Sequence, residues 1–567
     1  MKRYNQAVLL FLLAAGTTFA ADRVKTANGM LESTAPPKDG VRSFRGIPFA
    51  AAPVGDLRWK EPQPANNWTD ARNADQFGAR CMQRSGGDYW FRSNGMSEDC
   101  LYLNVWTPAK PGSGNLPVLV YIFGGGFQNG DGSEYRYDGE SMARKGIVVV
   151  TVNYRLGIFG FFSHPELTKE SAHHASGNYG MLDQVAALQW VQKNIAAFGG
   201  DPKHVTVGGE SAGSISVSAL MASPLSKNMM AAALGESGAL ISTLPPRALA
   251  ETEKDGVTFS ETAGAASLVA LRALTADKIM ELTAPAGGRG GRGAPGAPPP
   301  APMLSFSVNL DGYFLPKTLP QIFEAGEQAK IPLLAGTNSA EQGPNSVLGQ
   351  SEPTVENFVA AIRRLYPNDA DQVLKVYAPT TPDEVIQAAT DLASARFISH
   401  GTWSWNELQM KTGGKPVYRY YYARIRPRYL GMPGDSAAAG PGGGGGRGAG
   451  PGVAGASGGG RGGRGGAAAV ARGAAHSAEI QYAMGNLDLD TRYAWDADDH
   501  KVSETMQGYF ANFIRTFNPN GPGLPEWPAY TTKSGYARMH LDVASKSEPE
   551  PDRARYKVLD TIFASQR

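Results

Sequence analysis

Residues 116–123 (LPVLVYIF) run apolar almost without a break and stop at three glycines, Gly124, Gly125 and Gly126. A strand with no polar face has to be covered on both sides, so a sheet with one wetted face is excluded. Residues 147–153 (IVVVTVN) repeat the pattern, and 204–208 (HVTVG) form a shorter version of it. Between the last two, residues 182–197 carry helical periodicity. Buried strands alternating with helices predict an α/β chain with a large, mostly parallel sheet and helices on both faces. Further strands are expected at 331–335 and 416–422. A late helix is expected to bury Val502, Met506, Tyr509, Phe510, Phe513 and Phe517 on one face.

The chain has 567 residues, ample for a large core, which excludes a small scaffold that depends on disulfides. Two stretches break the pattern. Residues 287–302 and 434–473 are low-complexity, hold a disproportionate share of the 70 glycines and contain no aromatic residue. Such segments have almost nothing to pack and are expected as mobile loops. With no internal repeat in view, the reading is one domain over 21–567, interrupted twice. Arg289-Gly290-Gly291 and Arg461-Gly462-Gly463 resemble RNA-binding RGG segments. Single-strand binding adds aromatic stacking to charge, and none is interleaved here. The formal charge of +2, from 54 basic and 52 acidic residues without a polybasic block, also argues against nucleic acid as a partner.

The first twenty residues read as an export signal. Lys2 and Arg3 supply the charge, residues 7–15 the apolar stretch, and Thr18-Phe19-Ala20 a small-residue cleavage site. The apolar run is too short to cross about 30 Å of hydrocarbon, and no later segment is apolar enough to do so. The expected location is therefore periplasmic or secreted, without stable membrane insertion. Cys81 and Cys100 are the only cysteines. In an exported chain a close pair reads as a disulfide, with two free buried thiols as the alternative. Neither has His or Cys neighbours at ligand spacing, so a zinc site has no support.

Gly209-Glu210-Ser211-Ala212-Gly213 fits G-x-S-x-G, which places a serine on a tight turn between strand and helix. Gly455-Ala456-Ser457-Gly458-Gly459 fits too, but Ser457 has neither a strand before it nor a helix after it. Ser211 has both. A serine hydroxyl is a weak nucleophile and must meet a base and a carbonyl together, so it has to stand clear of the sheet. The helix start behind it offers free N–H groups to a developing anion. Gly124, Gly125 and Gly126, directly after a buried strand, expose further backbone donors where this turn expects the rest of an oxyanion hole.

Taken together these stretches resemble the type-B carboxylesterase family, the cholinesterase-like branch of the α/β-hydrolase fold. The resemblance extends along most of the chain. It includes Phe44-Arg45-Gly46-Ile47-Pro48-Phe49, Leu57-Arg58-Trp59, and Glu98-Asp99-Cys100-Leu101-Tyr102-Leu103-Asn104-Val105. Asn153-Tyr154-Arg155-Leu156-Gly157, residues 178–213, and Asn518-Pro519-Asn520-Gly521 with Trp527-Pro528 continue it.

The resemblance implies a catalytic acid at Glu341 and a base at His476, giving the order Ser211, Glu341, His476. It implies an oxyanion hole from the backbone of Gly125, Gly126 and Ala212. It also implies a Cys81–Cys100 disulfide and a supporting hydroxyl at Ser237. Two positions depart from the family pattern. Ala340 stands where an aspartate usually precedes the acid, which leaves Asp311 and Glu479 as fallback acids, and Phe123 stands where relatives often have His or Tyr. Seven other histidines, His164, His173, His174, His204, His400, His500 and His540, lack the matching flank. No H-E-x-x-H cluster occurs, so no metal and no organic cofactor is expected.

The implied activity is that of an exported serine carboxylesterase acting on small-molecule esters. An amidase or thioesterase shares the machinery, and a non-catalytic adhesion protein shares the fold. Trp90 and Trp403 are either pocket walls or core. The tract 434–473 ends just before His476 and is either a rim over the site or an inert insertion.

Overall fold

The computed structural model describes residues 21–84, 91–108, 114–241, 246–283, 304, 306–430 and 472–565. The expected signal at 1–20, the tract 287–302, Trp90 and all but Arg472 and Gly473 of the tract 434–473 lie outside the described residues.

A ten-stranded sheet dominates. In chain order its strands are β1 (Val41–Pro48), β2 (Tyr102–Pro108), β3 (Leu116–Ile122), β4 (Val148–Val152) and β5 (Gly200–Glu210). They continue as β6 (Ala232–Glu236), β7 (Leu333–Asn338), β8 (Val417–Tyr422), β9 (Ala537–Leu541) and β10 (Lys546–Pro549). Their spatial order is β10-β9-β8-β7-β6-β5-β3-β4-β2-β1. Every pairing from β4 across to β9 is parallel, and the pairings at both edges are antiparallel. Val148–Val152 is buried at every position, so both faces of this strand are covered, as its unbroken apolar run requires.

The longer helices include α1 (Tyr179–Asn194), α2 (Ala212–Ala222), α3 (Pro382–Ser394), α4 (His400–Thr412) and α5 (Ala497–Thr516). Helix α2 lies on β5 and β6, and α4 on β7 and β8. Asp496 and Asp499 form a capping box at the start of α5, whose Val502, Met506, Tyr509, Phe510 and Phe513 are buried. Phe517 falls one residue past the end of α5, at φ +62°, rather than within its apolar face. The strand expected at 331–335 lies at Leu333–Asn338, and that expected at 204–208 extends over Gly200–Glu210. A second apolar cluster gathers Phe358, Ile362, Leu392, Trp403, Leu559 and Phe563. Trp403 is 4% exposed, stacks on Tyr556 and donates to Glu550, so it is core rather than a pocket wall. Among the described residues no helix is long and apolar enough to cross a membrane.

Strand β3 leads to β4 on one side of the sheet, whereas β5 leads to β6 on the other. The carboxyl ends of β3 and β5 therefore flank a crevice at a topological switch point, where open α/β sheets bind ligands. The loop after β4 is pinned from below. Arg155 donates from its backbone N–H and Nε to Oδ2 of Asp183 on α1 (3.0 and 2.8 Å) and from Nη2 to Oδ1 (2.7 Å), both side chains being buried. Removing one partner of such a pair leaves an uncompensated buried charge. Asp183→Asn is expected to destabilise the protein by about 3–5 kcal/mol, seen as a large drop in melting temperature. A melting temperature equal to wild type would show that the pair anchors nothing.

Candidate active site

Ser211 sits between β5 and α2 with φ +55° and ψ −121°, a region that costs a side-chain-bearing residue about 1–3 kcal/mol. The surrounding backbone holds it there. Ser211 N–H donates to the Glu236 carbonyl at the end of β6 (2.8 Å), and Ile215 N–H returns to the Ser211 carbonyl (2.8 Å). The turn requires its two flanking glycines. A Cβ on Gly209 would stand 2.5 Å from the Ile122 carbonyl oxygen, and one on Gly213 would stand 2.0 Å from it.

The structure brings Ser211, His476 and Glu341 together. His476 Nε2 lies 2.9 Å from Ser211 Oγ, and His476 Nδ1 lies 2.6 Å from Glu341 Oε2. The Asn338 N–H donates to the other carboxylate oxygen of Glu341 (2.6 Å). Asp311 accepts from the N–H groups of Tyr313 and Leu315 in its own turn, and Glu479 accepts from Ser237 and Asn338. Neither fallback takes the position at His476 Nδ1. Six of the seven other histidines are engaged elsewhere: His164 accepts from Glu166 N–H, His173 stacks on Tyr313, His204 meets the Ile514 carbonyl, His400 packs on Phe563, His500 faces Asp488 and His540 meets Glu548.

The glycine loop stands beside the hydroxyl. Gly125 and Gly126 have φ +107° and +62°, and a Cβ on Gly124 would reach the Ser211 Cβ at 3.0 Å. Among the described residues, the N–H groups of Gly125, Gly126 and Ala212 have no protein acceptor, so they remain free for an anion. Tyr154 fixes this loop. Its Oη donates to the Phe123 carbonyl (2.9 Å) while its ring stacks on Phe123 with centroids 4.4 Å apart. Phe123 thus supplies packing at the position where a polar residue was the family expectation. Phe397, from a π-helical turn (Ala395–Ser399) between α3 and α4, presents its ring to His476, with centroids 5.1 Å apart.

Sequence patterns did not single out Glu210, although it is the second residue of the G-x-S-x-G match. Its Oε1 lies 3.3 Å from His476 Nε2, and burial pushes its carboxyl up to about 8. Burial works against the charged imidazole of His476, but Glu210 and Glu341 beside it lift the group to about 9. Beneath them, burial raises Glu479 and holds Glu236 well above the usual carboxylate range; Glu236 accepts from Tyr121 Oη (3.0 Å). The Ser237 hydroxyl hydrogen-bonds to none of Ser211, His476 and Glu341: its Oγ donates to Glu479 (3.2 Å), which Asn338 connects to Glu341. Cys81 and Cys100 are joined in a disulfide.

The chain matches the model of the carboxylesterase family over residues 20–557. It is 36% identical over 530 residues to a fumonisin B1 esterase of Sphingopyxis macrogoltabida, covering 92% of this chain and 86% of that protein. It is 35% identical over 529 residues to liver carboxylesterase 1 of Oryctolagus cuniculus, covering 88% and 85%. Among solved structures, a PNB esterase superposes with a TM-score of 0.70 at 30% identity, covering 95% of this chain and 99% of the other. A carboxylesterase of Geobacillus stearothermophilus superposes with a TM-score of 0.73 at 27% identity, covering 94% and 99%. With a strand-end serine beside a glycine loop, and likeness that extends over nearly the whole chain, this protein belongs to the carboxylesterase family of α/β-hydrolases and is a carboxylic-ester hydrolase.

Proposed function

We propose that this carboxylesterase works through Ser211, His476 and Glu341 by way of an acyl-enzyme, and that it acts outside the cytoplasm. The supporting observation is the unbroken hydrogen-bond line from Ser211 Oγ through both imidazole nitrogens to Glu341 Oε2. His476 takes the hydroxyl proton as Ser211 Oγ attacks the ester carbonyl, and Glu341 holds the imidazole with Nε2 toward the serine. The N–H groups of Gly125, Gly126 and Ala212 receive the oxyanion. His476 then protonates the alcohol as it leaves. Water repeats the cycle on the acyl group and releases the carboxylic acid, restoring Ser211. The signal-like start at 1–20 and the Cys81–Cys100 disulfide support the export reading, because such bonds persist in oxidising compartments.

Short- and medium-chain p-nitrophenyl esters test the mechanism. Ser211→Ala is expected to lower kcat by about a thousandfold or more, and a phosphonate inhibitor should label Ser211 in the wild type. Hydrolysis surviving in Ser211→Ala, or a label on another residue, would refute the assignment. Expression with residues 1–20 intact, followed by N-terminal sequencing of protein outside the cytoplasm, tests export; an uncut, cytoplasmic product speaks against it.

The carboxylates around His476 set a pH dependence. The raised imidazole keeps its proton above its ordinary value of 6.5, and a protonated imidazole cannot take the serine proton. Activity should therefore rise with pH through a midpoint above 6.5. Glu210→Gln removes the neighbour that raises His476 most, so this midpoint should shift downward. Profiles of kcat/KM between about pH 5 and 10 decide it, and an unmoved midpoint would rule out electrostatic control by Glu210.

A further inference from the structure

His476 does not sit on a regular element. It occupies the second position of a turn closed by the Ala478 N–H to the Ala475 carbonyl (3.1 Å). Ser477, at the third position, has φ +61°, where a type II turn ordinarily takes glycine. The residue following the candidate base is thus held in a conformation its own side chain disfavours, and something outside the turn must over-determine it.

Two side chains reach in from neighbouring strand ends. Asn338, the last residue of β7, donates through Nδ2 to the Ala475 carbonyl (2.7 Å). Arg426, four residues beyond the end of β8, donates through Nη2 to the Ser477 carbonyl (2.9 Å) and to Gln481 Oε1 (3.1 Å). The Arg426 guanidinium is itself fixed, with Nη1 3.3 Å from Tyr493 Oη and its carbon 5.0 Å from the Tyr493 ring centroid. The carbonyls on both sides of His476 are therefore gripped. The Asn338 grip is reinforced by the Ala340 N–H to the Ala474 carbonyl (2.9 Å) and the Ala474 N–H to Ser339 Oγ (2.8 Å). On the Ser477 side the turn's outer carbonyl rests on Arg426.

We propose that Arg426 is a positioning residue for the reaction: its charged hydrogen bond to the Ser477 carbonyl holds the left-handed turn that keeps His476 Nε2 within reach of Ser211. The inference rests on the triad reading above. A charge-assisted bond is roughly twice as strong as a neutral one, and here it acts on the carbonyl of the residue held at positive φ. Without it, Ser477 relaxes toward negative φ, and the imidazole one residue away swings off the serine. The strain belongs to the serine side chain, so glycine at 477 should make the turn independent of the clamp.

The test compares Arg426→Met, Arg426→Lys, Ser477→Gly and Arg426→Met/Ser477→Gly with the wild type and with His476→Ala. Two quantities are read: kcat and KM on p-nitrophenyl butyrate, and the rate at which a fluorophosphonate labels Ser211. Arg426→Met is expected to lower kcat and slow labelling by about tenfold with KM nearly unchanged, a loss on the scale of a slightly misplaced catalytic group. Adding Ser477→Gly should restore both rates to within about threefold of wild type, since glycine takes positive φ freely. A residue that only stabilised the fold would not be rescued in this way. Should Arg426→Met fail to fold, Arg426→Lys carries the same comparison with a smaller loss, again relieved by Ser477→Gly. Wild-type rates in the folded Arg426 variant, or a loss that Ser477→Gly leaves in place, would overturn the proposal. If His476→Ala still labels and hydrolyses at wild-type rates, the triad reading fails and the clamp falls with it. If His476→Ala is inert while Arg426→Met is unaffected, only the clamp fails.

Discussion

Three backbone segments meet beneath Ser211 at distances that leave no room for side chains. Gly209 and Gly213 both approach the Ile122 carbonyl, and Gly124 approaches the Glu210 carbonyl so closely that a Cβ there would stand 2.6 Å from it. The end of β3, the end of β5 and the start of α2 are consequently one packed unit. The glycine loop is placed by the same contacts that raise the serine, so its N–H groups and the Ser211 hydroxyl keep their spacing without a hinge between them. Catalysis by fixed dipoles depends on such rigidity, because donors that had to reorganise as charge developed would forfeit much of their benefit. The strained φ of Ser211 is sustained by this crossing and by the ladder bond to Glu236.

Around that unit the chain gathers carboxyl groups. Glu210 and Glu341 meet the His476 imidazole, and Glu236 and Glu479 lie buried close behind them, in a region nearly closed to water. Four full negative charges there would repel one another strongly. Burial raises Glu210, Glu236 and Glu479, and Glu341 is the carboxylate hydrogen-bonded to His476 Nδ1. Glu479 accepts from Ser237 and from Asn338, whose N–H donates to Glu341, so this connection links the floor of the site to Glu341.

Much of this was legible in the linear chain. The runs at 116–123 and 147–153 could only be strands covered on both faces, and β3 and β4 lie within them. Ser211 was separable from Ser457 because only Ser211 stands between a strand and a helix. Glu341 and His476 needed family likeness, since neither carries a local pattern that spacing or periodicity would pick out. Glu210 lay inside the recognised motif, yet its proximity to His476 depends on a residue 266 positions away. Trp403 was open between pocket and core until its contacts with Glu550 and Tyr556, both far along the chain, became visible. Tyr154 lay in a stretch that resembles the family without its contact being readable, and Asn338 and Arg426 were not singled out, because each acts through a backbone carbonyl of another segment, and carbonyls have no sequence identity.

What the sequence determined by itself was therefore the architecture and the place of the candidate nucleophile. Apolar runs that need two covered faces, and glycines that alone permit two chains to cross, are properties of residues read in order. The tertiary structure decided the electrostatic surroundings and posture of the candidate base, His476. The shift of His476 comes from Glu210, Glu341 and Glu479, and its turn is held by Asn338 and Arg426. Those groups meet only when β5, β7 and β8 end at the same edge of one sheet, and electrostatic and hydrogen-bond energies depend on distance in space rather than along the chain.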